Sequence, residues 1–392
     1  MSSFPPPIIP KALPPNAKIA LISPSARINP LLPSPLSRSE TLLRLLGYTV
    51  TTIFSNPGES LSPTSDTSVS ASIRNRLSEL RTAFADPTID LILCTVGGST
   101  MTELIPALVA DEELHSLIRQ NPKLVVGYSD ITVLHWCLRA LTGLRTFYGP
   151  CAVTELGESS TSTPATLSSF PPADDGAPKP QDDGYLQDFH LANLLAVVSH
   201  PHKPPGPVPR SKFYAPLIPP YFLVSPTSTV PRALAPSPPW TWLRPGRARG
   251  PLFGGCLTVV SRIQGISRIT PPWEGRILFL ESAMAEADMK KGNPLQRVRQ
   301  SVADLAARGV FDEIEGLVIG RPYGYNSEKE RAEYAAAFTG VLCRGPLAER
   351  AFPILMNVDV GHTAPMVTLP MDALAVLDSE KDEFAIEEAV VV

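Results

Sequence analysis

Cysteine is scarce: five residues among 392, at positions 94, 137, 151, 256 and 343, with no C-x-x-C pair. That spacing supports neither a disulfide framework nor a zinc knuckle, and a reducing compartment fits it best. Long apolar runs are missing as well, and none reaches the ~18 residues that a membrane span needs. The first ten residues have no basic start and are broken by Pro5, Pro6, Pro7 and Pro10, which argues against a secretory leader and for a cytoplasmic protein. Net charge is only −4, with lysine and arginine scattered along the chain, so no footprint for a nucleic-acid polymer is visible. Neither G-x-G-x-x-G nor a Walker pattern occurs. No nucleotide cofactor is therefore expected, and no metal site either, since the cysteines hold no C-x-x-C pair and His200 and His202, flanking Pro201, lack cysteine or acidic company.

Proline, by contrast, is abundant, with 44 residues, many of them between residues 201 and 239. So dense a stretch forms neither a helix nor a central strand, and it reads as an interdomain segment wrapping the surface. Ahead of it, residues 155–183 turn to Ser, Thr, Pro, Asp and Gly, the composition of a surface insertion or disordered loop. One short helix, residues 186–198, lies between them.

Strands and helices alternate on either side. Apolar strands are predicted at 18–23, 89–96 and 124–126, with helices near 42–47, 73–85 and 131–138. From residue 250 the pattern resumes: helix 257–266, strand 276–280, helix 294–308, strand 316–320, helix 328–344, strand 353–358 and a last hairpin element at 372–377. Nearly continuous apolar strands between helices imply an α/β fold with a parallel sheet covered on both faces. The expected organisation is a nucleophile-bearing parallel-sheet domain at 1–157, an interdomain segment at 158–249, and an α/β or mixed-sheet domain at 250–392, with the active site where the two domains meet.

Ligands of open α/β sheets sit beyond the carboxyl ends of the strands. Four sets of residues fall there: Gly97-Gly98, Ser129, Glu281 and His362. Ser129 occupies a strand-to-helix turn, Gly127-Tyr128-Ser129-Asp130, which can push its hydroxyl clear of the backbone. Ser and Asp also favour helix N-termini, so the turn alone fits a cap as well as a nucleophile. A serine, a histidine and a carboxylate at strand ends are nonetheless the parts of a nucleophilic hydrolase. Asp359, three residues before His362, is a rival to Glu281 as the residue that orients the ring, although a residue so near in sequence can equally fix the turn. His135 lies about 240° round the helix from Ser129 and faces elsewhere. Gly97-Gly98 suits either a phosphate cradle or a close backbone approach to substrate. Without a nucleotide motif the second meaning is preferred, so the N–H groups of Gly98 and Asp130 are the expected oxyanion donors. The competing class is a non-catalytic protein holding a small anion on the Gly97-Gly98 loop and the following helix N-terminus.

With these residues placed, the chain resembles the LD-carboxypeptidase family of serine peptidases, which includes muramoyl-tetrapeptide carboxypeptidases and microcin immunity proteins. The matching segments run in order: Ile19-Ala20-Leu21-Ile22-Ser23-Pro24-Ser25, Gly97-Gly98, Gly127-Tyr128-Ser129-Asp130-Ile131-Thr132, Gly254-Gly255, Ile277-Leu278-Phe279-Leu280-Glu281 and Gly361-His362-Thr363. The resemblance implies a Ser129, Glu281, His362 triad between two domains of a homodimer, with Glu281 ranked above Asp359. The segment from Gly97 to Pro106 lacks the Gly-Tyr-Gly-x-x-Arg continuation of the cell-wall enzymes and is closer to the microcin immunity branch. That branch cleaves an amide joining an acyl amino acid to a nucleotide-like group. By this resemblance Gly97 and Ser99 contact substrate, and Trp240 and Trp242 stand where a base could stack, a region where plain packing is as good an account. The expected substrate is a small peptide or an aminoacyl nucleotide, with no cofactor.

Overall fold

The computed structural model describes residues 4–55, 63–159, 162–168, 170 and 184–392. Most of the Ser/Thr-rich insertion expected at 158–182 lies outside the described residues. No described helix is long and apolar enough to cross a membrane.

Five strands, β1 (Lys18–Ile22), β2 (Thr49–Ile53), β3 (Leu91–Cys94), β4 (Leu124–Gly127) and β5 (Phe147–Tyr148), form a parallel sheet in the order 2-1-3-4-5. All of β3 and β4, and all of β1 beyond Lys18, are buried, as in a sheet covered on both faces. Thr49–Ile53 is an edge strand and half-exposed, so its run of Thr and Val carries no continuous apolar signal and sequence reading passes over it. The strand order reverses between β1 and β3, which puts the crevice of a doubly wound sheet at their carboxyl ends.

The rest of the chain supplies β6 (Gly206–Pro207), β7 (Phe213–Tyr214), β8 (Ala235–Pro236), β9 (Thr241–Arg244), β10 (Arg247–Cys256), β11 (Ile277–Glu281), β12 (Met284–Ala285), β13 (Asp288–Gly292), β14 (Gly316–Gly320), β15 (Ile354–Val358), β16 (Leu369–Pro370), β17 (Ala373–Asp378) and β18 (Glu383–Ile386). Eight of them make a mixed sheet in the order β6-β18-β17-β10-β11-β14-β15-β9. Its core of β10, β11, β14 and β15 is parallel, and the flanking pairs are antiparallel. Thus the second half is α/β with a mixed sheet.

Sequence reading begins order at Gly250 with a helix at 257–266 and no strand before it, whereas the structure has the ten-residue β10 there. A Cβ on Gly250 would stand 2.0 Å from Gly275 O, and one on Gly254 1.8 Å from Phe279 O. These glycines let β10 press against its neighbour and do not mark a turn. The proline-dense stretch is mostly exposed or half-exposed. Its prolines break it into two-residue strands, one of which extends the mixed sheet, and Ile218, Pro219, Phe222 and Arg232 form part of a cleft wall.

The two sheets are locked together. Trp136 Nε1 donates to Gly254 O at 3.0 Å, Arg139 and Arg276 share the buried Asp372, and β16 adds an antiparallel edge to β5. The last residue, Val392, exchanges backbone hydrogen bonds with Pro10 and Ala12.

Candidate active site

Ser129 follows β4 with φ 67°, a left-handed conformation that costs a non-glycine residue about 1–3 kcal/mol. Its carbonyl accepts from Thr132 Oγ1 at 2.6 Å, and its N–H donates to Tyr148 Oη at 3.0 Å, so the strained turn is pinned on both sides. Directly against it lies the loop after β3. A Cβ on Gly97 would be 2.6 Å from Ser129 Cβ and 2.9 Å from its Oγ, which leaves room only for glycine. Gly98, at φ 144°, is confined in the same way by Ser25 Oγ and Ala26 N.

Asp130 turns its buried carboxylate away from this point. Its oxygens accept from Ser25 Oγ at 2.7 Å, the Met101 N–H at 2.8 Å and Arg262 Nη2 at 2.9 Å. The carboxylate thereby ties the loops after β1 and β3, and a helix of the second half (Leu257–Ile263), to the serine turn. Its own N–H lies on the Gly97 side, 3.3 Å from where that Cβ would stand.

Glu281 ends β11, and His362 lies in the loop beyond β15. One carboxylate oxygen, Oε2, accepts from His362 at Nδ1 (2.7 Å) and from its backbone N–H (3.1 Å), while Oε1 accepts from Tyr148 Oη at 2.5 Å. Gly361, at φ 88°, permits this approach, since a Cβ there would meet Glu281 Cγ at 2.2 Å. Burial pushes the Glu281 carboxyl up, but the His362 charge and the hydrogen bonds from His362 and Tyr148 outweigh it and hold the group below its ordinary value. Tyr128 meets the His362 ring edge-on with centroids 5.0 Å apart and donates to Glu155 Oε1 at 2.9 Å. Asp359 is turned elsewhere, paired with Arg321 at 2.6 Å and hydrogen-bonded to Ser211. His135 is a satisfied core residue between Thr146 and Gly127, and burial lowers its pKa to about 4.

Tyr148 is the residue that sequence reading misses. It joins the Ser129 N–H to Glu281, and hence to His362, by an unbroken line of hydrogen bonds. Burial, and then the neighbouring Glu281 charge, push its phenol well up, so it stays protonated and donates. It stands in the Tyr148-Gly149-Pro150 segment that shares in the family resemblance, at the end of the strand beside β4, but that segment assigns it no role. Tyr148→Phe strips a partner from both groups, and each loss costs about 1–3 kcal/mol. A lower melting temperature and a fall in kcat with little change in KM are expected; wild-type kcat in this variant would reduce the hydroxyl to a packing role.

Gly97, Gly98, Ser99, Ser129, Asp130 and His362 line one cleft of about 760 Å³, with Glu281 behind the histidine. Arg262, Arg297 and Arg308 bring positive charge to its wall, and Phe222, Met284 and Met289 bring apolar surface. Trp240 and Trp242 are not on it. Trp240 packs on Phe384 under the Arg210 guanidinium, 3.7 Å from the ring centroid, and Trp242 donates to Asp382 at 2.9 Å. Trp242 lies in β9 and Trp240 just ahead of it, where Trp240 lines a separate hollow with Asp382 and Phe384. Cys256, Glu281 and His362 are the one trio of potential metal ligands close enough to share an ion among the described residues.

Residues 19–149 match the LD-carboxypeptidase N-terminal domain and residues 249–377 the LD-carboxypeptidase C-terminal domain. The chain belongs to the LD-carboxypeptidase family. Within that family it is 27% identical over 382 residues to a Vibrio cholerae protein provisionally named a carboxypeptidase, covering 96% of this chain and 97% of the other. To the microcin C7 self-immunity protein MccF of Escherichia coli it is 24% identical over 324 residues, 81% of this chain and 80% of that one. Among solved structures, wild-type MccF without ligand superposes with a TM-score of 0.78 at 21% identity, covering 98% of this chain and 100% of MccF. An MccF-like protein from Bacillus anthracis gives 0.73 at 24% identity, with 97% and 98% covered. At these identities the structural likeness establishes the fold. Ser129 falls within the N-terminal match, and Glu281 and His362 within the C-terminal one.

Proposed function

We propose that this LD-carboxypeptidase family member is a serine hydrolase that cleaves an amide near a free carboxylate, in a peptide or an acyl-aminoacyl nucleotide. The observation that carries the reading is the hydrogen-bonded line from the strained Ser129 through Tyr148 and Glu281 to His362, opening on a cleft. In this mechanism Ser129 Oγ attacks the carbonyl carbon and His362 takes its proton. Glu281 holds the ring with Nδ1–H toward it and stabilises the imidazolium. The N–H groups of Gly98 and Asp130 receive the oxyanion; the Ser129 N–H is already committed to Tyr148. His362 then protonates the leaving amine, and water, activated by the same imidazole, hydrolyses the acyl-enzyme.

The cleft arginines suit a substrate carboxylate or sulfamoyl group. MccF has been solved with aspartyl sulfamoyl adenosine and with glutamyl sulfamoyl guanosine, and a cleft of this size holds a ligand of that class. Phe222, half-buried on the wall, offers the aromatic face for a base that Trp240 and Trp242 do not. The enzyme is further proposed to act as a homodimer in the cytoplasm.

A panel of LD-dipeptides, tetrapeptide stems and aminoacyl sulfamoyl adenylates, followed by mass spectrometry, tests the assignment. Release of an amino acid or of the sulfamoyl nucleotide from at least one class is expected. Tight binding of these compounds with no turnover in any of them would instead establish a non-catalytic anion-binding protein.

A further inference from the structure

Cys256 closes β10 directly beside Glu281 in the parallel register of β10 and β11. Partners in such a register project from the same face of the sheet. The Cys256 thiol, a His362 ring nitrogen and a Glu281 carboxylate oxygen all lie within 4.8 Å of one another. Cys256 and His362 also line the cleft, so an ion entering it reaches them. The hydrolytic scheme has no use for the thiol. Its partners are weak and local to the start of the following helix: Thr258 Oγ1 at 3.7 Å and the backbone of Thr258 and Val259.

We propose that Cys256, His362 and Glu281 form a binding site for a thiophilic divalent cation of the zinc type, and that occupying it shuts off hydrolysis. The donor set of one sulfur, one imidazole and one carboxylate suits Zn²⁺ and Co²⁺, while Mg²⁺ and Ca²⁺ favour all-oxygen shells. Metal–ligand bonds of ~2.0–2.3 Å put tetrahedral ligands about 3.5 Å apart, so modest side-chain rotation closes the trio. On binding, the Cys256 S–H bond breaks, an S–metal bond forms and the proton leaves to solvent; no electrons are transferred. Glu281 contributes a carboxylate already ionised. His362 contributes a lone pair, and where Nδ1 is the ligand its proton moves to Nε2. Two anionic ligands then neutralise the ion in a buried site, and the fourth position faces the cleft for water. The ion so held removes the groups assigned above to proton transfer, which makes it an inhibitor and not a cofactor. The inhibitory half of this inference rests on the proposed hydrolytic function, and the binding half stands without it.

Cobalt titration of the full-length, reduced protein reads the site directly, through the thiolate-to-cobalt charge-transfer band in the near ultraviolet. Saturation at one equivalent is expected, with Zn²⁺ displacing the cobalt. Cys256→Ser should abolish the band, and His362→Ala should weaken binding at least ~10-fold, the loss that even an outer-shell substitution can cause. Cys343→Ser, which removes the partly exposed cysteine, should leave both unchanged. Zn²⁺ should also inhibit turnover reversibly on chelation, with the inhibiting concentration raised at least ~10-fold in Cys256→Ser relative to that variant's own metal-free rate. Absence of the band, its survival in Cys256→Ser, or its loss in Cys343→Ser would each overturn the proposal. If Cys256→Ser does not fold, undiminished cobalt affinity in His362→Ala does the same. Cobalt binding by a protein that hydrolyses nothing would retain the site while rejecting the hydrolase reading.

Discussion

Ser129→Ala is expected to lower kcat by about 10⁴- to 10⁶-fold, the range seen when the nucleophile is removed from a working triad. The variant keeps the interactions that shape the turn, because the Ser129 carbonyl and N–H, and not its hydroxyl, are held by Thr132 and Tyr148. Alanine adopts φ 67° no more readily than serine, so the strain is common to both, and the melting temperature should move by only a degree or two. The combination is diagnostic: a folded protein, substrate affinity retained, and no acyl-enzyme by mass spectrometry. Activity within ten-fold of wild type would mean that another group or an activated water attacks the amide, and the serine mechanism would fall.

The strand ends were legible because the parallel sheets bury nearly continuous apolar runs, and such runs announce themselves in β1, β3, β4, β11, β14 and β15. Residues just beyond those runs include Ser129 and His362, and β11 itself closes with Glu281, which is why the site is legible in the sequence. What escaped reading followed different physics. Glycines in β10 are there for close backbone approach and look like a turn from composition alone. Tyr148 ends a two-residue strand too short to carry a pattern, and its value lies wholly in two long-range hydrogen bonds. Trp240 and Trp242 had the right chemistry for a base-stacking surface, but Trp240 packs on Phe384, Trp242 donates to Asp382, and neither lines the cleft. Side-chain type is a local property, whereas the edge of a sheet on which a strand lands is not.

Glu281→Gln is expected to cost about 10³- to 10⁴-fold in kcat while leaving the cleft shape intact, by the same logic as an orienting carboxylate in any serine triad. Glu281 accepts from Tyr148 on one oxygen and from His362 on the other. A glutamine has a single acceptor oxygen, and its NH₂ must face one of these two donors. If it faces His362, the ring shifts its proton to Nε2 and can no longer accept one from Ser129; if it faces Tyr148, the phenol is left without its acceptor. Either arrangement also withdraws the negative charge that stabilises the imidazolium. The pH dependence of stability follows from the depressed carboxyl pKa. Folded protein binds the Glu281 proton less readily than unfolded chain does, so its stabilisation is fully present above the ordinary glutamate value of about 4.3 and is lost as pH falls through the lower folded value. The melting-temperature gap between wild type and Glu281→Gln should therefore be widest near neutrality and narrow on acidification below that point. Asp359→Asn breaks the pair with Arg321 and should destabilise the fold while leaving the pH profile of kcat unchanged, because that carboxylate contacts Arg321 and Ser211 and not the histidine. The opposite result, with Asp359→Asn reshaping the kcat profile and Glu281→Gln leaving turnover near wild type, would transfer the orienting role to Asp359.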